Sequence, residues 1–143
     1  ADYETLRKIE EFGIFFGRAF QIRDDTLNIS ATFEDYGKEI GGDIMEGKRT
    51  LILVHLLQHC TSDEKKRVIE IYSKLREEKT EEDKQYVLGL MRKYKSVEYA
   101  DTEAQKYGQM AVELLKKNFP IVVNEKAKQQ LIDAIEFVFK REK

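Results

Sequence analysis

"FGIFFGRAFQIRDDTLN", residues 12–28, is the stretch whose reading decides the fold. It opens on aromatic rings and glycines and closes on two adjacent acids, Asp24 and Asp25, with Asn28 just beyond. Leu6, Ile9, Phe12, Phe16, Ala19 and Arg23 recur at helical spacing, which predicts a helix from about Asp2 to Asn28. At about 3.6 residues per turn, Gly13, Gly17, Phe20, Gln21, Asp24 and Asn28 share one face. Each glycine inside a helix costs roughly 1 kcal/mol against alanine. A face that carries two either packs closely on another helix or makes room for a narrow apolar slot. An unpaired buried carboxylate is too costly to be incidental. Asp24 and Asp25 therefore either reach solvent or hold something positive.

Helical spacing continues through the rest of the chain, which has a single proline, Pro120, and no strict alternation. The expected fold class is all-α, with residues 1–143 as one segment. An irregular stretch, "SATFEDYGKEIGGD", occupies residues 30–43. "TLILVHLLQH", near residues 50–59, reads as a short helix buried on most sides. Thr61 and Glu64 form a capping box for a helix to about Arg76, and Thr80 starts another to about Lys93. Ser96 is placed to cap a helix to about Lys117. Asn124 is placed to cap the last one, with Leu131, Ile135 and Val138 on one side.

With 143 residues the chain is long enough to bury a core, and with 41% hydrophobic and 36% charged residues it reads as globular rather than disordered. A net charge of −2 gives no footprint for nucleic acid. No apolar run is long enough to span a bilayer, and no secretory signal pattern is present. The single cysteine, Cys60, excludes an internal disulfide and suits a reducing, cytoplasmic setting. His55 and His59 lie four apart on an apolar helix without a third ligand, which reads as packing. The acids of "EEKTEED", residues 77–83, read as solvated. Phe12, Phe15 and Phe16 wall a slot or build an interface, and tyrosines 72, 86, 94, 99 and 107 fill gaps between helices.

The loop after the acids adds chemistry. "GKEIGGDIMEGKRT", residues 37–50, sets Lys38, Asp43 and Lys48 among four glycines. Glycine lets backbone amides approach an anion, and lysine neutralises phosphate oxygens. Carboxylates on one side and lysines on the other suit Mg²⁺ with phosphate, because Mg²⁺ takes one or two carboxylates and fills its shell with phosphate and water. The spacing is not that of a nucleotide P-loop.

Residues 17–50, "GRAFQIRDDTLNISATFEDYGKEIGGDIMEGKRT", resemble the second aspartate-rich region of the trans-isoprenyl diphosphate synthases, which include the farnesyl and geranylgeranyl diphosphate synthases. The family pattern is G-x-x-F-Q-x-x-D-D-x-x-D followed by G-K-x-x-G-x-D-x-x-x-G-K-x-T. The resemblance implies the C-terminal half of the isoprenoid synthase helical bundle. It implies that an allylic diphosphate, held through Mg²⁺, ionises and is attacked by the double bond of isopentenyl diphosphate. By position, Asp24 and Asp25 resemble the metal-binding acids, and Phe20 and Gln21 the pair beside the reacting carbons. Lys38 resembles the lysine on the allylic diphosphate. Asp43 and Lys48 resemble the acid and base of the lid loop. The terminal "FKREK", residues 139–143, resembles the family's basic tail, though basic residues also suit any helix end.

Two departures from the pattern shape the expectation. Asn28 stands where the family has a third acid, so the metal set here is Asp24, Asp25 and Asn28, with weakened binding. The family's first D-D-x-x-D motif is absent. The chain is therefore expected to act in a hetero-oligomer or dimer with a complementary N-terminal-half polypeptide that carries that motif, separately encoded or the other piece of a cleaved chain. The competing expectation is a non-catalytic modulator of a prenyl synthase. A class I terpene cyclase is disfavoured, because the second motif of those enzymes is absent.

Overall fold

The computed structural model describes residues 2–30, 40–118 and 124–140. Among them the structure is all-α, with no strand. The helices are α1 (Tyr3–Ser30), α2 (Gly42–Glu46), α3 (Leu51–His59), α4 (Ser62–Ser73), α5 (Glu81–Lys93), α6 (Ser96–Asn118) and α7 (Glu125–Lys140), with a 3₁₀ turn at Arg76–Glu78. No helix among the described residues is long and apolar enough to cross a membrane. Two compact units emerge: residues 1–23 with 102–143, and residues 24–101. Both α1 and α6 contribute to each.

In the first unit, Val112, Leu115, Ile132 and Ile135 form the core, and Phe12 and Phe16 pack against it. The two rings stack at 6.0 Å. Phe15 stacks on Tyr107 at 6.1 Å, and the Arg18 guanidinium lies 5.6 Å from the same tyrosine ring. The three phenylalanines thus serve the unit's own packing. The Leu6–Ile9 end of the stripe stays exposed. Asn124 caps α7 as expected, its Oδ1 accepting from the Ala127 N–H at 3.1 Å. The inward side of α7 is Ile132 and Ile135, whereas Leu131 is exposed. Three- and four-residue spacing had admitted either neighbour, and contact with Val112 and Leu115 decides it. The Val138 side chain and the "FKREK" tail lie outside the described residues.

The second unit buries Ile29, Ile44, Ile52, Leu53, Leu56, Val68, Ile71, Val87, Leu88 and Met91. Helix α3 buries Ile52, Leu53 and Leu56 and half-buries Leu51, His55 and Leu57, while Val54 is 45% exposed on its open side. Thr50 caps it, accepting from the Leu53 N–H. His55 is held between the rings of His59 and Tyr99, at 4.0 and 4.2 Å, so the histidine pair is packing. Ser96 is fully buried, and its hydroxyl pairs with His55 Nδ1 at 3.0 Å instead of serving as the cap of α6. Helix α4 ends at Ser73, short of Arg76, because the Lys74 side chain is drawn to Asp83 at 2.7 Å and Leu75 opens a new turn by donating its N–H to Glu78.

The expected capping box at Thr61 forms, and Thr80 with Asp83 makes a second where a helix start is expected. In the first, Glu64 accepts from the Thr61 N–H, the Lys93 ammonium and the Tyr94 hydroxyl. These bonds, that from Lys93 foremost, hold its pKa down at about 2. A carboxyl with a depressed folded-state pKa stabilises the fold fully above its ordinary value and loses that contribution as pH falls through the depressed one. Glu64→Gln is therefore expected to melt below the wild type at neutral pH. The gap closes as pH is lowered from about 5 toward about 2, as thermal melts followed by circular dichroism will show. A gap that stays constant over that range would rule out the ionised carboxylate as its source.

Candidate functional site

Five of the residues singled out by the sequence, Asp24, Asp25, Asn28, Asp43 and Lys48, lie in the second unit. The last turns of α1 carry Asp24, half-buried, and Asp25 and Asn28, which are buried. Thr26, fully buried between them, donates its hydroxyl to Asp101 at 2.8 Å and so pins this part of the helix. The Asn28 side-chain oxygen accepts the N–H of Asp43 at 3.2 Å, and its main-chain carbonyl accepts that of Gly41 at 2.9 Å. The acidic end of α1 is thereby joined to the short helix α2.

Helix α2 begins at the end of the stretch that the sequence leaves irregular, residues 30–43, and runs past it. It is framed by Gly41 and Gly47, with φ of 72° and 73°, a backbone region that glycine enters without strain. A Cβ on Gly41 would also stand 3.1 Å from the buried stem of Lys84. Asp43, in the first turn of α2, is only 6% exposed. Its Oδ1 accepts from the Lys48 ammonium at 2.6 Å, while its Oδ2 is buried with no hydrogen-bond partner. The bond to Asp43 raises the Lys48 pKa above the usual lysine value. Burial opposes the rise, and the negative charges of Asp43, Glu46 and Asp25 add to it. Tyr72 faces the same cluster: burial pushes its phenol well up, and the charge of Asp43 adds to that.

The arrangement is a set of hard oxygen donors beside the Lys48 ammonium. A buried carboxylate oxygen without a donor is costly unless something positive completes it. Asp43 Oδ2 meets that condition, and Asp25 is buried nearby in electrostatic terms, since its charge is felt at Lys48. These residues fit a divalent cation that takes most of its ligands from elsewhere, as Mg²⁺ does. Among the described residues no group of three or more candidate side chains encloses a metal position.

Phe20 and Gln21 belong to the first unit, where both are exposed and Phe20 meets Phe16 at 6.3 Å between ring centres. Gly13 and Gly17 of that unit have nothing within 4 Å of where a Cβ would stand, so close helix packing is not their use among the described residues. Lys38 lies outside the described residues. Two buried residues escape the sequence reading of "EEKTEED" as solvated. Lys79 is 7% exposed and donates to the Met45 carbonyl at 3.0 Å; Asp83 is 8% exposed and bonds Lys74 and the Thr80 N–H. The Thr80–Asp83 spacing marks Asp83 as an N3 residue, but nothing local marks Lys79.

The Polyprenyl synthetase family model matches residues 1–91, well over half of the chain and the whole of this cluster. The chain belongs to the polyprenyl synthetase family. Over 143 residues it is 34% identical to a geranylgeranyl diphosphate synthase of Saccharolobus solfataricus, covering 100% of this chain and 42% of that protein. The structure of geranylgeranyl pyrophosphate synthetase from Pyrococcus horikoshii Ot3 is 31% identical with a TM-score of 0.80, covering 99% of this chain and 41% of that one. A polyprenyl synthase from Caulobacter crescentus CB15, solved with calcium and isoprenyl diphosphate, is 26% identical with a TM-score of 0.79, covering 100% of this chain and 42% of that one. The chain thus spans about two-fifths of the length of the polyprenyl synthetases it matches. Its all-α architecture is that part of their helical bundle.

Proposed function

We propose that this chain supplies the second acidic half of a prenyltransferase site that joins an allylic diphosphate to isopentenyl diphosphate, and that a polypeptide bearing the first D-D-x-x-D motif completes it as a hetero-oligomer. The observation that carries the reading is the junction of Asn28, Asp43 and Lys48, which sets a buried carboxylate with one open oxygen beside an ammonium, in the electrostatic reach of Asp25. The Caulobacter crescentus relative holds a divalent ion and an isoprenyl diphosphate on the same fold.

Asp24, Asp25 and Asp43 offer oxygens for Mg²⁺, with Asn28 beside them. When bound, Mg²⁺ would neutralise charge on the diphosphate as it leaves. We assign Lys48, together with Lys38 outside the described residues, to the phosphate oxygens. In the reaction the allylic C–O bond breaks and the diphosphate carries the electron pair away. The isopentenyl double bond forms the new C–C bond, and the proton lost from the adjacent carbon goes to the released diphosphate. Exposed Phe20 and Gln21 are the groups we place beside the reacting carbons. Cys60, a free thiol whose pKa burial raises, suits a reducing, cytoplasmic compartment and no nucleophilic role.

The test is to assay condensation of the two diphosphates by the chain alone, by a polypeptide with the first motif alone, and by the mixture. Turnover is expected only in the mixture. Turnover by the isolated chain would show that no companion is needed, and an inert mixture with a companion known to fold would remove the catalytic reading.

A further inference from the structure

We infer that Asn28 and Lys79 are positioning residues that clamp the two ends of α2 and thereby set where Asp43 and Lys48 stand. The inference rests on the proposed diphosphate site and adds to it two residues that act through others. Helix α2 has five residues, far too few to persist alone, since helix nucleation is unfavourable and short helices depend on tertiary contacts. Its own N-cap, Gly41, has no side chain to satisfy the first amides.

Asn28 meets that need from α1, 15 residues away, by accepting the Asp43 N–H in a buried position. At the other end the last carbonyls of α2 need donors. Lys79, 34 residues away and itself buried, brings its ammonium to the Met45 carbonyl, on the side where a helix favours positive charge. A Cβ at Gly47 would stand 3.4 Å from that ammonium, an ordinary contact, so the glycine answers to its φ of 73° and not to crowding.

Position 28 carries an amide where the family pattern has an acid. A carboxylate would accept the same N–H and add a negative charge beside Asp25 and Asp43. Asparagine holds the amide without that charge. Its carbonyl is engaged with Asp43, so its part is the placing of Asp43 and Lys48 more than the ligation of a cation.

The test compares wild type, Asn28→Leu and Lys79→Met, each with and without Lys48→Met. It reads two quantities: amide hydrogen exchange at Asp43, and affinity for inorganic pyrophosphate in Mg²⁺ by titration calorimetry. Asn28→Leu is expected to speed exchange at Asp43 about tenfold or more, since it removes a buried acceptor. Both variants are expected to weaken pyrophosphate about tenfold in the Lys48 background and to cost nothing further once Lys48 is methionine, as coupled residues do in a double-mutant cycle. Equal losses in both backgrounds, or unchanged exchange at Asp43, would overturn the clamp. Because the variants probe opposite ends, loss of fold in one leaves the other to decide. If wild type binds no pyrophosphate, the proposed function fails, and the exchange measurement alone judges the clamp.

Discussion

Alanine at Asp24 is expected to lower turnover of the completed synthase by about 10²–10³-fold, the usual cost of removing one preplaced group that stabilises charge in a transition state. On the proposed mechanism the leaving diphosphate gains negative charge as the allylic bond breaks, and cations held by the carboxylates of α1 would stabilise it. Asp24 is half-buried on a helix pinned by Thr26 and Asp101, so its loss is expected to leave the melting temperature within a few degrees of wild type. The loss should fall on the catalytic rate constant more than on assembly with the companion chain. A subunit that only modulates a catalytic partner would turn over unchanged with Asp24→Ala. The steady-state rate of the mixture, with assembly checked by size-exclusion chromatography, separates the two.

Local signals made much of the fold legible. Thr61 with Glu64, Thr80 with Asp83, and Asn124 start their helices where their side chains predict, because capping depends only on residues three apart. Helix α2 was not legible. Its residues sit among glycines, and its support comes from Asn28 and Lys79, 15 and 34 positions away. For the same reason Lys79 hid inside an acidic run that looked solvated. Ser96 carried a plausible cap signal, but the fold spends its hydroxyl on His55.

The site shows the same division. Residue types and spacing pointed to Asp24, Asp25, Asp43 and Lys48, since carboxylates and lysines at fixed intervals encode their chemistry locally. The engagement of Asn28 with the Asp43 amide is a tertiary fact that no spacing announces.

Removal of metal should have the second large effect. Three carboxylates, Asp24, Asp25 and Asp43, belong to the proposed site, and Lys48 is already bonded to one of them. Without a cation the cluster repels an anion, and like-charge juxtaposition costs several kcal/mol. With Mg²⁺ the sign is expected to reverse, because Asp24, Asp25 and Asp43 would hold the ion and the ion would supply positive charge for the phosphates. The decisive measurement is a calorimetric titration of this chain with inorganic pyrophosphate, first in Mg²⁺ and then in chelator. Binding in Mg²⁺ that weakens about 100-fold or more in chelator, and that Asp24→Ala weakens toward the same level, is the expected result. Equal affinity in both conditions, or no binding in Mg²⁺, would contradict a metal-and-diphosphate site built on Asp24, Asp25, Asp43 and Lys48.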